Sequence, residues 1–184
     1  MNERQDKNDA STEERAGKYL TFRLAAEEYG LEILKVREII GLMNITKVPR
    51  TPDYIRGVIN LRGKVIPVLA LRNKFGMGLT EDTEETCIIV VEVNLDGESV
   101  MMGTVVDAVS EVLDIQADEI EDAPAFGTDV DTNFILGIGK VKNEVKILLD
   151  IDEVLTARDL TLLQSFEGKS STQTVIEEEV LEPA

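Results

Sequence analysis

Residues 51–71, TPDYIRGVINLRGKVIPVLAL, align without a gap with residues 131–151, DTNFILGIGKVKNEVKILLDI. Ile55, Gly57, Val65 and Leu69 recur as Ile135, Gly137, Val145 and Leu149, while Tyr54, Val58, Leu61 and Arg62 meet Phe134, Ile138, Val141 and Lys142. Four identities alone would constrain little. The force of the match is its phase, because the aromatic, the glycine and both apolar alternations stay in step. Upstream, LKVREII (34–40) echoes DAVSEVL (107–113) and sets Glu38 against Glu111. A duplication of this kind predicts two half-size units of one design, each built from short Val/Ile-rich strands with period-two alternation. Units so small bury too little apolar surface to stand alone, so they are expected to pack on each other. The groove between them is then the default binding site.

Along the chain, YLTFRL reads as a half-buried strand and AAEEYG as a turn. YGLEILKVREII continues as extended chain with a bend near Lys35. TPDYIRG has the signals of one helical turn: Thr51 as N-cap, Pro52 at the first position, Asp53 at the positive dipole end and Gly57 as stop. Strands VINLR and KVIPVLAL follow, hinged at Gly63 and Lys64, and Pro67 demands an edge or a bulge in the second. NKFGMGLTEDTEET is a connector. The resulting partition is a first barrel over about 18–80 and a second over about 84–151. A C-terminal helix over about 152–166 presents Val154, Leu155, Leu162, Leu163 and Phe166 on one face. Residues 1–16 and 167–184 are polar, charged and aperiodic, and read as disordered.

The formal net charge of -17 is not evenly spread. Between Lys47 and Lys74 lie seven Lys or Arg residues and one acid, Asp53, while the remaining 12 basic and 35 acidic residues sum to -23. Such a field disfavours nucleic acid as a partner and points to a protein with acidic and apolar features. Histidine is absent, which removes Ser-His and Cys-His pairings and every His-containing metal site. Cys87 is the only cysteine, so no internal disulfide can form; opening the run CIIVV, it reads as a small buried hydrophobe. MNERQDKNDASTEER lacks the apolar stretch of a signal peptide, and no apolar run reaches the ~18 residues of a membrane span, so a cytoplasmic location without direct membrane insertion is expected.

Chemical motifs fail on inspection. DVDTNF (129–134) begins like a calcium loop, but the sixth position is Phe134 and the twelfth is Lys140, where Gly and Glu are required. GKV at 63–65 and 139–141 lacks both the earlier Gly and the following Ser or Thr of a phosphate loop, and GMG at 76–78 lacks the rest of a dinucleotide fingerprint. Asp118, Glu119, Glu121 and Asp122 read as exposed loop acids rather than an acid/base pair. The expectation is a binding module with no catalytic residues, cofactor or metal.

The string VPRTPDYIRGVINLRGKVIPVLALR resembles CheW, the bacterial chemotaxis coupling family, as do the flanking EEYGLEILKVREII, VVDAVSEVL and FILGIGKVKNEVKILLDI. The resemblance runs from about Lys18 to Phe166. It implies an all-β fold of two packed five-stranded SH3-like barrels. It also implies a non-enzymatic adaptor that couples the cytoplasmic tips of methyl-accepting chemoreceptors to the chemotaxis histidine kinase CheA, through the kinase's regulatory domain, in membrane-associated arrays. By resemblance the receptor-binding residues are Val36, Glu38, Gly57, Arg62 and Val112, and the kinase-binding residue is Phe126.

Each of these also has a structural reading. Val36 and Val112 fit a core, Gly57 a C-cap, and Glu38 and Arg62 a mutual ion pair. The family usually carries Asp where this chain has Ala70, although Asp150 keeps the matching place in the second repeat. Two alternatives stand beside the adaptor: a coupling protein of a non-chemotaxis array, and a small-molecule or ion-binding regulatory domain using the inter-barrel groove.

Overall fold

The computed structural model describes residues 14–78, 80–95, 97–124 and 133–154. Eleven strands are found among them: β1 Gly17–Leu24, β2 Glu27–Glu32, β3 Val36–Gly41, β4 Ile55–Leu61, β5 Lys64–Ala70, β6 Cys87–Leu95, β7 Glu98–Val106, β8 Ala108–Ile115, β9 Ile120–Glu121, β10 Ile135–Val141 and β11 Glu144–Leu149. Two single-turn helices follow β5 and β11, α1 Leu71–Lys74 and α2 Ile151–Val154. The strands form two sheets, ordered β3-β6-β7-β5-β4 and β8-β1-β2-β11-β10-β9. The all-β, two-sheet architecture expected from the repeat is present.

Each sheet curls around its own core. In the first, Ile59, Ile66, Val68, Ile88, Val90 and Val105 form one buried cluster that draws on four of its strands, with Ile40 of β3 packed against it. Its two edge strands are joined where Thr46 exchanges backbone hydrogen bonds with Val58 of β4, both 2.9 Å. In the second, Tyr19, Ile115, Ile120, Val141 and Leu148 form the cluster, and a 3-10 turn over Ala117–Glu119 links edge strands β8 and β9. Full burial of an aliphatic side chain contributes about 1.5–3 kcal/mol, so each small cluster is a substantial share of net stability.

The sheet orders reveal what the linear repeat did not. Both repeats read hairpin, single strand, hairpin, but each barrel takes its leading hairpin from the other repeat. Hairpin β6/β7 lies between β3 and β5, and hairpin β1/β2 lies between β8 and β11. The insertion is sealed by parallel pairing, Val68–Ala70 with Gly103–Val105 and Ile147–Leu149 with Tyr29–Leu31. The sequential partition at 18–80 and 84–151 is therefore corrected: one barrel is continuous from Val36 to Val106, and the other joins 17–32 to 108–149. The second sheet also has six strands rather than five, because the two-residue β9 stands where the single Thr46 bridge stands in the first.

The two repeats share several backbone details. The amide of Ala70 donates to the Tyr54 carbonyl at 2.7 Å, and that of Asp150 to the Phe134 carbonyl at 2.8 Å. Both hairpins turn on two residues of positive φ, Arg62 and Gly63 in one, Lys142 and Asn143 in the other, which suits the strand twist. The hinge is thus Arg62-Gly63, one residue earlier than expected. A run of stacked rings, Phe22 on Tyr29 (6.0 Å), Tyr29 on Phe75 (6.1 Å) and Phe75 on Phe134 (5.2 Å), joins β1 and β2 to the segments after α1 and before β10.

Other local expectations are revised. TPDYIRG makes a turn, with the Ile55 amide donating to the Pro52 carbonyl; the Thr51 hydroxyl donates back to the Val48 carbonyl instead of capping a helix. Pro67 does sit where it can be tolerated, since β5 meets β7 only from Val68 onward. The bend near Lys35 is a 3-10 turn over Ile33–Lys35. Ordered contacts begin before residue 17: Arg15 donates to the Leu136 carbonyl and to Asp122, both 2.8 Å. Phe126, residues 155–166 of the expected helix and the tail 167–184 lie outside the described residues.

Gly57 and Gly137 explain why the repeat keeps a glycine there. Both fall at a register shift in their strand, opposite the segment that closes the barrel. A Cβ on Gly57 would lie 2.1 Å from the Thr46 carbonyl oxygen, and one on Gly137 would lie 2.9 Å from that of Glu121. Gly57 also has φ +141, so a side chain there is strained as well as crowded. Replacing Gly57 by Ala is expected to remove about 2–4 kcal/mol of stability, combining backbone strain with the clash, as read by urea denaturation; a loss below about 0.5 kcal/mol would show that the seam yields freely.

Candidate protein-docking site

The seam between β3 and β4 carries the sequence-nominated residues. On β3 the register passes from Val36 opposite Val91 to Glu38 opposite Val90, leaving Arg37 as the extra residue of a bulge. Arg37 pairs with Glu92 across the neighbouring strand, and Val36 is half-buried. Glu38 faces the β4/β5 turn. There the Arg62 guanidinium meets it in a fork, Nη1 to Oε1 at 2.8 Å and Nη2 to Oε2 at 2.6 Å. This hydrogen-bonded pairing, then the charge of Glu38 itself, raises the Arg62 pKa above its ordinary value. Arg62 is 74% exposed and Glu38 23%, so the pair stands at the surface with guanidinium faces available to a partner.

Val112 stands on β8 of the other sheet, opposite Leu20, and is half-exposed. By the repeat it corresponds to Ile39, also exposed. The structure thus brings Glu38 and Arg62 into contact, places Val36 beside them on β3, and puts Gly57 in the closing seam of the same barrel. Gly57 supports this surface through backbone packing against Thr46. Sequence reasoning missed the other exposed aliphatics, Leu34 (85%), Val65 (53%) and Val145 (58%). Val65 and Val145 are one of the four identities of the repeat, a signal visible in the sequence.

Where the chain crosses between sheets, clefts open around the 33–35 turn. One of about 390 Å³ is lined by Glu32, Leu34, Lys35, Arg37 and Glu92 among others. A smaller one of about 130 Å³ lies among Glu32, Lys35, Leu136, Leu149, Asp150 and Asp152. Lys35 pairs with Asp152 at 2.7 Å, and the other Asp152 oxygen accepts the Asn94 amide at 2.9 Å, fastening α2 to β6. Glu32 and Asp150 both have raised pKa values, chiefly through burial and then through neighbouring carboxylates, Asp150 for the first and Asp152 for the second.

The loop acids find structural employment. Glu119 accepts the Gln116 amide at 3.0 Å in a capping box, Glu121 pairs with Lys140, and Asp122 with Arg15. Cys87 is half-buried, and burial pushes its thiol upward, as befits an unreactive side chain. Among the described residues no group of three or more Asp, Glu or Cys is placed to hold a metal, and no helix is long and apolar enough to cross a membrane.

The CheW-like domain, as a sequence family, matches residues 18–159. The chain belongs to the CheW family. It is 40% identical over 147 residues to the chemotaxis protein CheW of Klebsiella aerogenes, covering 80% of this chain and 86% of that one. With the chemotaxis protein CheW of Bacillus subtilis it shares 34% identity over 139 residues, 75% of this chain and 86% of the other. Among solved structures, the scaffolding protein CheW of Thermoanaerobacter tengcongensis superimposes with a TM-score of 0.68 at 39% identity, covering 78% of this chain and 95% of that one. The family's shared architecture agrees with the two-sheet fold.

Two measurements probe this site. Arg62→Glu should leave the urea midpoint near that of the unaltered chain, because an exposed pair on an already closed seam contributes little to folding; a large drop would make the pair structural. Glu32→Gln tests the cleft. The folded chain holds the Glu32 proton more tightly than the unfolded chain does, so ionised Glu32 opposes folding at neutral pH and ceases to do so as pH falls below its raised value. Glu32→Gln is therefore expected to match or exceed the unaltered chain in stability at pH 7, with its advantage shrinking towards about pH 4; an advantage that grows on acidification contradicts this.

Proposed function

We propose that this chain is a chemotaxis coupling adaptor, which binds the cytoplasmic tips of methyl-accepting chemoreceptors and the regulatory domain of the chemotaxis histidine kinase. It works by protein-protein binding rather than catalysis, at membrane-associated receptor arrays. The observation that carries the reading is the family match over residues 18–159, joined to an exposed Glu38–Arg62 pair on the barrel seam. Its relatives are named chemotaxis proteins, and its structural neighbour is named a scaffolding protein.

In this reading Val36, Glu38, Arg62 and Val112 form the receptor-facing surface, an apolar and forked-ionic combination that a helical receptor tip with mixed character would fit. Gly57 belongs to that surface by holding the seam shut, so variants at Gly57 report folding before they report binding. Phe126 is the kinase-facing residue.

Co-sedimentation of the chain with a receptor cytoplasmic fragment and the kinase tests the proposal. A ternary pellet is expected, with receptor affinity reduced at least about tenfold by Arg62→Glu, kinase binding reduced by Phe126→Ala, and little change on removing residues 168–184. Retention of full receptor affinity by well-folded Arg62→Glu and Val112→Asp variants would place the receptor elsewhere, and no pellet with either partner would sink the adaptor reading.

A further inference from the structure

The internal repeat carries the Glu38–Arg62 pair to a second place in the fold. Glu111 stands where Glu38 stands, and Lys142 where Arg62 stands. The backbones at both positions correspond. As β3 shifts register against β6 between Val36 and Glu38, so β8 shifts against β1 between Val109 and Val112. Glu111 is fixed inside that irregularity by the Thr21 hydroxyl, which accepts its amide at 3.1 Å and donates to its carbonyl at 2.8 Å. Arg62 and Lys142 each open a two-residue hairpin turn, and both have φ 52.

The side chains behave differently. In the first barrel the acid and the cation close a fork, 2.8 and 2.6 Å. In the second, Glu111 and Lys142 are both exposed, and neither makes a side-chain hydrogen bond or ion pair among the described residues. Other charges of that barrel are committed elsewhere: Lys146 holds Glu28 and Glu144, and Lys140 holds Glu121. A lysine brings a point charge without the guanidinium fork, and an exposed pair of that kind gains too little to keep two long side chains together. Val112, directly after Glu111, is 50% exposed. An acid, a cation and an aliphatic side chain are thus presented by one barrel with no partner inside it.

We propose that Glu111 and Lys142 are a second pair of specificity-determining charges on the receptor-facing surface, unjoined in the free chain, each taking its counter-charge from the receptor tip. The inference rests on the adaptor reading and extends a surface to which this barrel otherwise contributes Val112. The partner it fits is a helix that sets a cation and a carboxylate on either side of an apolar side chain, the apolar group covering Val112. The two barrels then contribute unequally. Glu38–Arg62 meets the receptor already assembled, whereas Glu111 and Lys142 are ordered only by binding, so they select among receptor tips by charge.

Charge reversal in the full chain, read by affinity for a receptor cytoplasmic fragment, tests the assignment. Glu111→Lys and Lys142→Glu are each expected to weaken receptor binding at least about threefold. Their urea midpoints should stay near that of the unaltered chain, because neither side chain has a partner to lose; a clear drop would make the charges structural and overturn the proposal. The double reversal separates the two roles. Charges that meet the receptor give losses that multiply, to about tenfold, whereas charges that meet each other give a double variant with restored affinity, which also overturns it. If both single variants bind like the unaltered chain while Arg62→Glu binds weakly, the adaptor reading stands and this inference falls. If the unaltered chain does not bind the fragment, both fall.

Discussion

Two short parallel ladders hold the architecture together, Val68–Ala70 with Gly103–Val105 and Ile147–Leu149 with Tyr29–Leu31. Each fastens a hairpin from one repeat into the barrel of the other. Because of them neither repeat contains a complete core: Ile88, Val90 and Val105 of the second repeat complete the cluster begun by Ile59, Ile66 and Val68 of the first. A half-chain would expose both an open sheet edge and half of two cores, so the duplicated units are obliged to fold as one. Most of the decisive contacts are therefore distant in sequence, a topology whose closure entropy must be met before the cores form.

Closing each barrel creates the surface on which function is proposed. The chain after β3 comes within hydrogen-bonding distance of β4 at Thr46 and Val58, and that approach leaves room for no side chain at position 57. Glu38 and Arg62 then face each other across the seam. The pair is well formed geometrically but exposed, a combination that contributes more to recognition than to stability. The basic segment that interrupts so acidic a chain is largely neutralised within the fold. Arg56 meets Asp82, Arg62 meets Glu38, Arg72 meets Asp107, and Lys74 lies 4.3 Å above the Tyr54 ring. What the segment presents to a partner is a set of oriented, half-engaged donors rather than a field of free positive charge.

The two barrels have diverged where their burdens differ. Ile66 is a core residue of one, whereas its counterpart Lys146 is buried in the other with its amine held by Glu28 and Glu144. Asp150 caps the first turn of α2 through the Asp152 amide, whereas Ala70 leaves α1 without a side-chain cap. Equivalent backbones thus carry different polar demands.

The sequence by itself determined the strand class, the duplication, the hinge at Arg62-Gly63 to within a residue, and the pairing option between Glu38 and Arg62. These depend on local alternation and on residue chemistry, which a linear reading captures. It also led to a helical turn at TPDYIRG and to two sequential barrels, and both failed for one reason. Capping residues and repeat boundaries state what a segment can do alone, while the strand that enters a sheet is chosen by burial and ladder pairing with other segments, Ile55 with Leu69 in the first case and Val68–Ala70 with Gly103–Val105 in the second. Only the tertiary structure decided that the leading hairpins are exchanged and that Gly57 is a point of backbone contact rather than a helix stop, because each follows from two distant backbones meeting in space.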